Sequence, residues 1–74
     1  MAAHRIEHLT DQQEEIIRFI RRQILDRGEA PTLSEIGETF GLRSRATVHY
    51  HLRRMEALGV IVRESGRHRG IRLT

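Results

Sequence analysis

Thr32-Leu33-Ser34-Glu35-Ile36-Gly37-Glu38-Thr39-Phe40-Gly41-Leu42-Arg43-Ser44 is the stretch that decides the fold. It opens with a hydroxyl residue three places before a glutamate. In that pattern the Thr32 side chain accepts from the backbone N–H of Glu35, and Glu35 reaches back to the N–H of Thr32. Pro31 precedes it, and Leu33, Ile36 and Phe40 then fall on one side of a short helix closed by Gly41. Ser44 follows at once as the cap of another helix. Two capped helices parted only by Gly41-Leu42-Arg43, with glycine in the first position of the turn, spell a helix-turn-helix.

The flanks extend that reading. Upstream, Thr10-Asp11-Gln12-Gln13 repeats the capping pattern, and Ile16, Ile17, Ile20, Ile24 and Leu25 recur at helical spacing, with Phe19 at the edge of the stripe. Glu14, Glu15, Arg18, Arg21 and Arg22 supply the wet side, which predicts a helix from about Asp11 to Arg27, ended by Gly28. Downstream of Ser44, the steps Val48, Leu52, Met55 and Leu58 predict a third helix that stops at Gly59. The period then changes. Val60-Ile61-Val62-Arg63 is β-branched and Ile71-Arg72-Leu73-Thr74 alternates, so the two form a hairpin around Glu64-Ser65-Gly66-Arg67-His68-Arg69-Gly70. The expected fold is mainly α with a small antiparallel β hairpin: a winged helix-turn-helix of three helices and a two-stranded wing. Residues 1–8 read as a polar leader and residues 9–74 as one domain.

Composition narrows the function. The chain has 74 residues and no cysteine, which excludes disulfides and thiolate metal sites. No apolar run approaches the roughly 20 residues needed to cross a bilayer, and the leader lacks the apolar centre of a secretion signal. The expectation from composition is a soluble, intracellular protein. The net charge of +3 hides a polarity: residues 1–38 hold five arginines against eight acids, and residues 39–74 hold eight against two. Lysine is absent, so each of the 13 basic side chains is a guanidinium, whose planar fork pairs bidentately with phosphate or guanine. A basic second half points to a polyanion.

With its apolar stripe turned inward, the third helix presents Ala46, Tyr50, Arg53 and Arg54 outward, flanked by Thr47 and His49. The first turns of the second motif helix enter the major groove in helix-turn-helix proteins, which makes Ser44, Arg45, Ala46, Thr47, His49 and Tyr50 the candidate base readers. Arg53 and Arg54 are better placed for phosphates. Thr32 and Ser34, at the start of the second helix, are candidates for the backbone crossing. Arg67, His68 and Arg69 are expected to project from the wing toward an adjacent groove or phosphate. Against each stands a plainer reading: a solvated amphipathic face, a capped helix start, a basic turn.

Catalysis is not expected, nor is a cofactor, a metal or a small-molecule ligand. His4 and His8 are four apart but lie alone in the polar leader, and His49 and His51 point to different sides of a helix. His51 leans toward the core edge, as a packed, hydrogen-bonded residue. Glu14 with Glu15, and Glu35 with Glu38, fall on wet helix faces with nothing to shift their pKa values. No glycine-rich phosphate loop or nucleophile motif is present.

Beyond this reading, the chain resembles the N-terminal DNA-binding domain of the LexA repressor family. The blocks that carry the resemblance are Leu9-Thr10-Asp11-Gln12-Gln13, Ala30-Pro31-Thr32-Leu33-Ser34-Glu35-Ile36-Gly37 and Phe40-Gly41-Leu42-Arg43-Ser44. They continue with His51-Leu52, Leu58-Gly59-Val60-Ile61, Ser65-Gly66 and Arg69-Gly70-Ile71-Arg72-Leu73. The resemblance implies a repressor of the DNA-damage (SOS) response, with base-reading positions at Ser44, Ala46, Thr47, His49 and Tyr50. Only Ser44 keeps the residue type of the best-known enterobacterial member, which has asparagine in place of Ala46 and glutamates in place of His49 and Tyr50. The resemblance also implies that such repressors continue into a self-cleaving domain with a Ser–Lys pair that supplies most of their dimerisation. It leaves open an excised domain or a stand-alone regulator. The expected partner is double-stranded DNA, bound by a homodimer on a palindromic operator; the alternative is a winged helix that docks proteins.

Overall fold

The structure is a computed structural model that describes residues 8–64 and 69–74. Three helices come first: α1 (Asp11–Arg27), α2 (Leu33–Phe40) and α3 (Arg45–Ala57). Two short strands follow, β1 (Ile61–Arg63) and β2 (Ile71–Leu73). The strands pair antiparallel, with Ile61 opposite Leu73, Val62 opposite Arg72 and Arg63 opposite Ile71. This is the winged helix-turn-helix order expected from the sequence.

Each helix begins where its cap dictates. Thr10 Oγ1 accepts from Gln13 N at 3.1 Å, and Gln13 Oε1 accepts from Thr10 N at the same distance. Thr32 and Glu35 repeat this reciprocal arrangement at 3.1 and 2.9 Å. Ser44 caps α3 by accepting from Ala46 N at 3.0 Å. Such caps typically contribute about 1 kcal/mol each.

The turn between α2 and α3 runs through Gly41, whose φ of +68° lies in the left-handed region that favours glycine. Gly37, within α2, serves close approach instead. A Cβ there would stand 3.1 Å from the Leu42 carbonyl oxygen and 3.6 Å from Val48 Cγ2. The Leu42 N–H donates to Gly37 O at 2.8 Å, which closes the turn against the helix it leaves.

The core is one cluster of Ile16, Ile20, Ala30, Ile36, Val48, Leu52, Met55, Ile61 and Ile71, drawn from all three helices and both strands. Burying each of its larger side chains contributes roughly 1.5–3 kcal/mol. Phe19 and Phe40 meet edge to face, with ring centroids 5.7 Å apart, and join α1 to α2.

Two apolar residues stand differently from the expected stripes, and one polar residue joins the core. Leu25 belongs to the stripe by residue type yet is 75% exposed. Five residues beyond Ile20 the helix has turned about 140° away from the buried line, toward solvent. Gln13, conversely, lies seven residues before Ile20 and therefore almost directly in line with it. It is 2% exposed, a core residue with an amide. Leu58, expected on the α3 stripe, is the half-buried C-cap.

Candidate nucleic-acid interface

The first turn of α3 stands in solvent. Ser44, Arg45, Ala46 and Thr47 are all exposed, as are Tyr50, Arg53 and Arg54 further along the same helix. Val48, Leu52 and Met55 hold the opposite face in the core. The sequence pattern therefore places its outward residues correctly because the inward stripe is strictly periodic. Ser44 Oγ accepts from Ala46 N and its carbonyl accepts from Thr47 N, which leaves the Arg45 N–H without a backbone or cap partner among the described residues in that first turn. Free N–H groups at a helix start attract phosphate, and small residues such as Ala46 let a backbone or base approach.

Among the described residues, no ion pair involves Arg43, Arg45, Arg53 or Arg54. These four guanidiniums are thus available to a partner. An open cleft of about 590 Å³ runs between the starts of α2 and α3 and brings Ser34, Arg43, Ser44 and Arg45 to one place. Ser34 is exposed on α2, as a backbone-contacting residue must be. Arg43 was not singled out in the sequence, although its place in the turn between two helix starts was the available signal.

His49 is half-buried, and Arg63 Nη2 stands 3.5 Å from its Nδ1, at the long end of hydrogen-bond range. Arginine only donates, so in this contact Nδ1 is the acceptor and Nε2 is the ring nitrogen left to meet a partner. Tyr50 is 54% exposed and meets the ring of His51 edge to face at 5.4 Å. His51 itself is half-buried, with Nδ1 3.0 Å from Gln13 Nε2, as a packed, hydrogen-bonded residue should be. Gln13 Oε1 is occupied by Thr10 N, so the amide nitrogen donates and the ring accepts.

Two candidates stand differently from the sequence reading. The Thr32 hydroxyl is the α2 cap and only 9% of the residue is exposed, which favours the plainer alternative of helix capping. Arg69 was expected to project from the wing, yet it folds onto the start of α2. Its Nη1 donates to Ala30 O at 2.9 Å and to Glu35 Oε1 at 3.0 Å, and its Nη2 donates to Glu35 Oε2 at 3.3 Å. Its Nε lies 3.6 Å from Glu29 Oε2.

Glu35 is accordingly not an idle wet-face acid. The Arg69 hydrogen bonds, reinforced by the Thr32 N–H, hold its carboxyl at about 2, well below its ordinary 4.5. Glu35 in turn pushes the Arg69 pKa further up. Arg72, two residues into the outgoing strand, pairs with Glu64 across the hairpin at 2.8 Å. Arg67 and His68 lie outside the described residues.

Comparison with known proteins adds a family to this geometry. Residues 6–70 match the LexA DNA binding domain family. A LexA repressor of Brevibacillus brevis is 46% identical over 65 residues, covering 88% of this chain and 31% of that protein. LexA repressors of Azoarcus sp. and Aromatoleum aromaticum are 45% and 48% identical over 69 residues, covering 93% of this chain and 34% of theirs. The chain thus spans about a third of the length of these relatives.

Proposed function

The chain belongs to the LexA DNA-binding domain family, and from that premise we propose that it is the operator-reading part of a LexA-type repressor. It binds one half-site of duplex DNA, with the first turns of α3 in the major groove and the wing over an adjacent groove or the backbone. Ser44, Arg45, Ala46, Thr47, His49 and Tyr50 face the bases. Ser34, Arg53 and Arg54 position the domain on phosphates, with Arg43 joining them from the cleft. The activity is recognition, and no bond is made or broken in it.

The observation that carries this reading is the exposed face of α3, whose arginines have no acidic partner among the described residues. A docking surface for proteins would need a contiguous apolar patch. The exposed large apolar side chains among the described residues are Leu25, Tyr50 and Val62, on three different elements. No helix of the described residues is long and apolar enough to cross a membrane.

The regulator itself is proposed to act in the bacterial cytoplasm, on genes of the DNA-damage response, as two copies on a palindrome. His49 departs from the acidic reader of the enterobacterial relative. With Nδ1 turned to Arg63, a donating Nε2 suits the acceptors of guanine, adenine or thymine rather than the amine of cytosine. Selection of duplexes from a random pool gives the half-site, its symmetry and its spacing. Titration at several salt concentrations then tests the contacts. Replacing Arg53 and Arg54 together by alanine is expected to weaken binding to all duplexes alike and to flatten the salt dependence by about two units of slope. Absence of affinity for any duplex at low salt overturns the proposal.

A further inference from the structure

The duplex-binding reading treats wing arginines as DNA contacts; resting on that reading, we propose that Arg69 is instead a positioning residue, which Glu35 holds so that the outgoing stem of the wing is fixed to the start of α2. Arg69 stands at a decisive place in the hairpin. The ladder continues past the paired strands as far as Glu64 N and Gly70 O, 2.7 Å apart. Arg69 is the next residue, at the end of the described part of the outgoing stem. Whatever anchors it sets the direction of that stem.

The anchor is bidentate. Both Glu35 oxygens accept from the guanidinium, and the Ala30 carbonyl accepts from the same Nη1. A fork-on-fork pair fixes orientation as well as distance, which a single contact does not. Both partners are partly withdrawn from water, with side chains 27% and 34% exposed.

Charge separates this arginine from those of α3. Glu29 and Glu35 both lie against it, so the local sum of the three side chains is −1. Most of its N–H donors are directed at protein oxygens. A guanidinium so committed brings no net positive charge to a phosphate, whereas Arg53 and Arg54 bring theirs entire. Glu35 is itself held by the Thr32 N–H. The chain of contacts therefore runs from the α2 cap, through the carboxylate, to the wing.

The test uses the full 74-residue chain and a duplex carrying its selected half-site. Wild type, Glu35→Gln, Arg69→Ala, Arg69→Lys and the Glu35→Gln/Arg69→Ala double variant are titrated over a range of salt, with thermal unfolding recorded for each. Glu35→Gln keeps an oxygen for the Thr32 N–H and removes a negative charge, which by electrostatics alone tightens binding to a polyanion. Positioning predicts the opposite. Both Glu35→Gln and Arg69→Ala bind several-fold more weakly, the double variant is no worse than the weaker single one, and Arg69→Lys, which keeps the charge but loses the fork, resembles Arg69→Ala.

Two results overturn the proposal. In one, Glu35→Gln tightens binding while Arg69→Ala weakens it, lowers the salt slope by about one and is rescued by lysine, as for a phosphate contact. In the other, the variants unfold earlier but bind as wild type does while folded, which makes the pair merely structural. Should Arg69→Ala fail to fold, the sign of the Glu35→Gln effect decides the matter. Wild type that binds no duplex removes the underlying reading instead, a result distinct from either.

Discussion

The caps of α1 and α2 are the same local device with different reach. Thr10 with Gln13, and Thr32 with Glu35, make the same pair of reciprocal bonds at nearly the same distances. The two third-position residues then diverge. Gln13 is 2% exposed and gives its amide nitrogen to His51 of α3. Glu35 remains at the rim and gives both oxygens to Arg69 of the wing. A neutral amide can enter the core once its donors and acceptor are matched, whereas a carboxylate must keep both water and a cation within reach. The difference teaches that each element proposed to touch DNA is tied to the cap of an earlier helix, one by an uncharged bond and the other by a charged one.

The largest way to break this comparison is Gln13→Ala. It removes the acceptor for Thr10 N and leaves His51 Nδ1 half-buried without a partner. The two losses together are expected to destabilise the domain by about 2–3 kcal/mol, read from urea unfolding. A loss no greater than about 1 kcal/mol would mean that the box acts only locally and the tie to α3 is idle.

A smaller effect separates the boxes by acid. The Glu35 carboxyl titrates at about 2 when folded against an ordinary value of 4.5. A group whose folded pKa is depressed stabilises above its unfolded pKa, and that contribution is lost as pH falls through the folded one. The domain should therefore lose stability progressively from about pH 4.5 toward pH 2, beyond what its other acids contribute. Glu35→Gln should flatten that part of the profile, and Gln13→Ala should leave its shape intact. Unfolding midpoints measured from pH 6 down to pH 2 check both, and an unchanged slope in Glu35→Gln refutes the assignment.

How much of this could be read in advance follows from range. Both caps, the bounds of α1 and the Gly41 turn rest on signals within four residues of one another, so the sequence alone carries them. The exposed face of α3 was readable because Val48, Leu52 and Met55 fix the phase of the helix. Leu25 was placed on the buried stripe, and Gln13 was read only as a cap residue, because residue type was weighed above angle: one is apolar but turned away, the other polar but in line with Ile20. Glu35 and Arg69 are 34 residues apart. In a chain with 13 arginines nothing local marks which of them an acid will take. The pairing of Arg63 with His49 depends on how the hairpin lies beside α3, and the alternation of β1 alone does not state it.

The smallest effect sharpens the comparison furthest, because it depends on charge alone. The Glu35–Arg69 pair is partly exposed, and salt screens such pairs; the Gln13–His51 bond carries no formal charge while the ring is neutral. The stability lost in Arg69→Ala should therefore shrink as salt rises, while the loss in Gln13→Ala stays constant. Unfolding of wild type and both variants at neutral pH, in dilute buffer and again near 1 M sodium chloride, where the screening length falls to about 3 Å, reads the contrast directly. Equal salt responses would mean that the two ties differ in chemistry but not in kind. A response confined to Arg69 would show that the wing, unlike α3, is held by a contact that the ionic conditions around DNA can loosen.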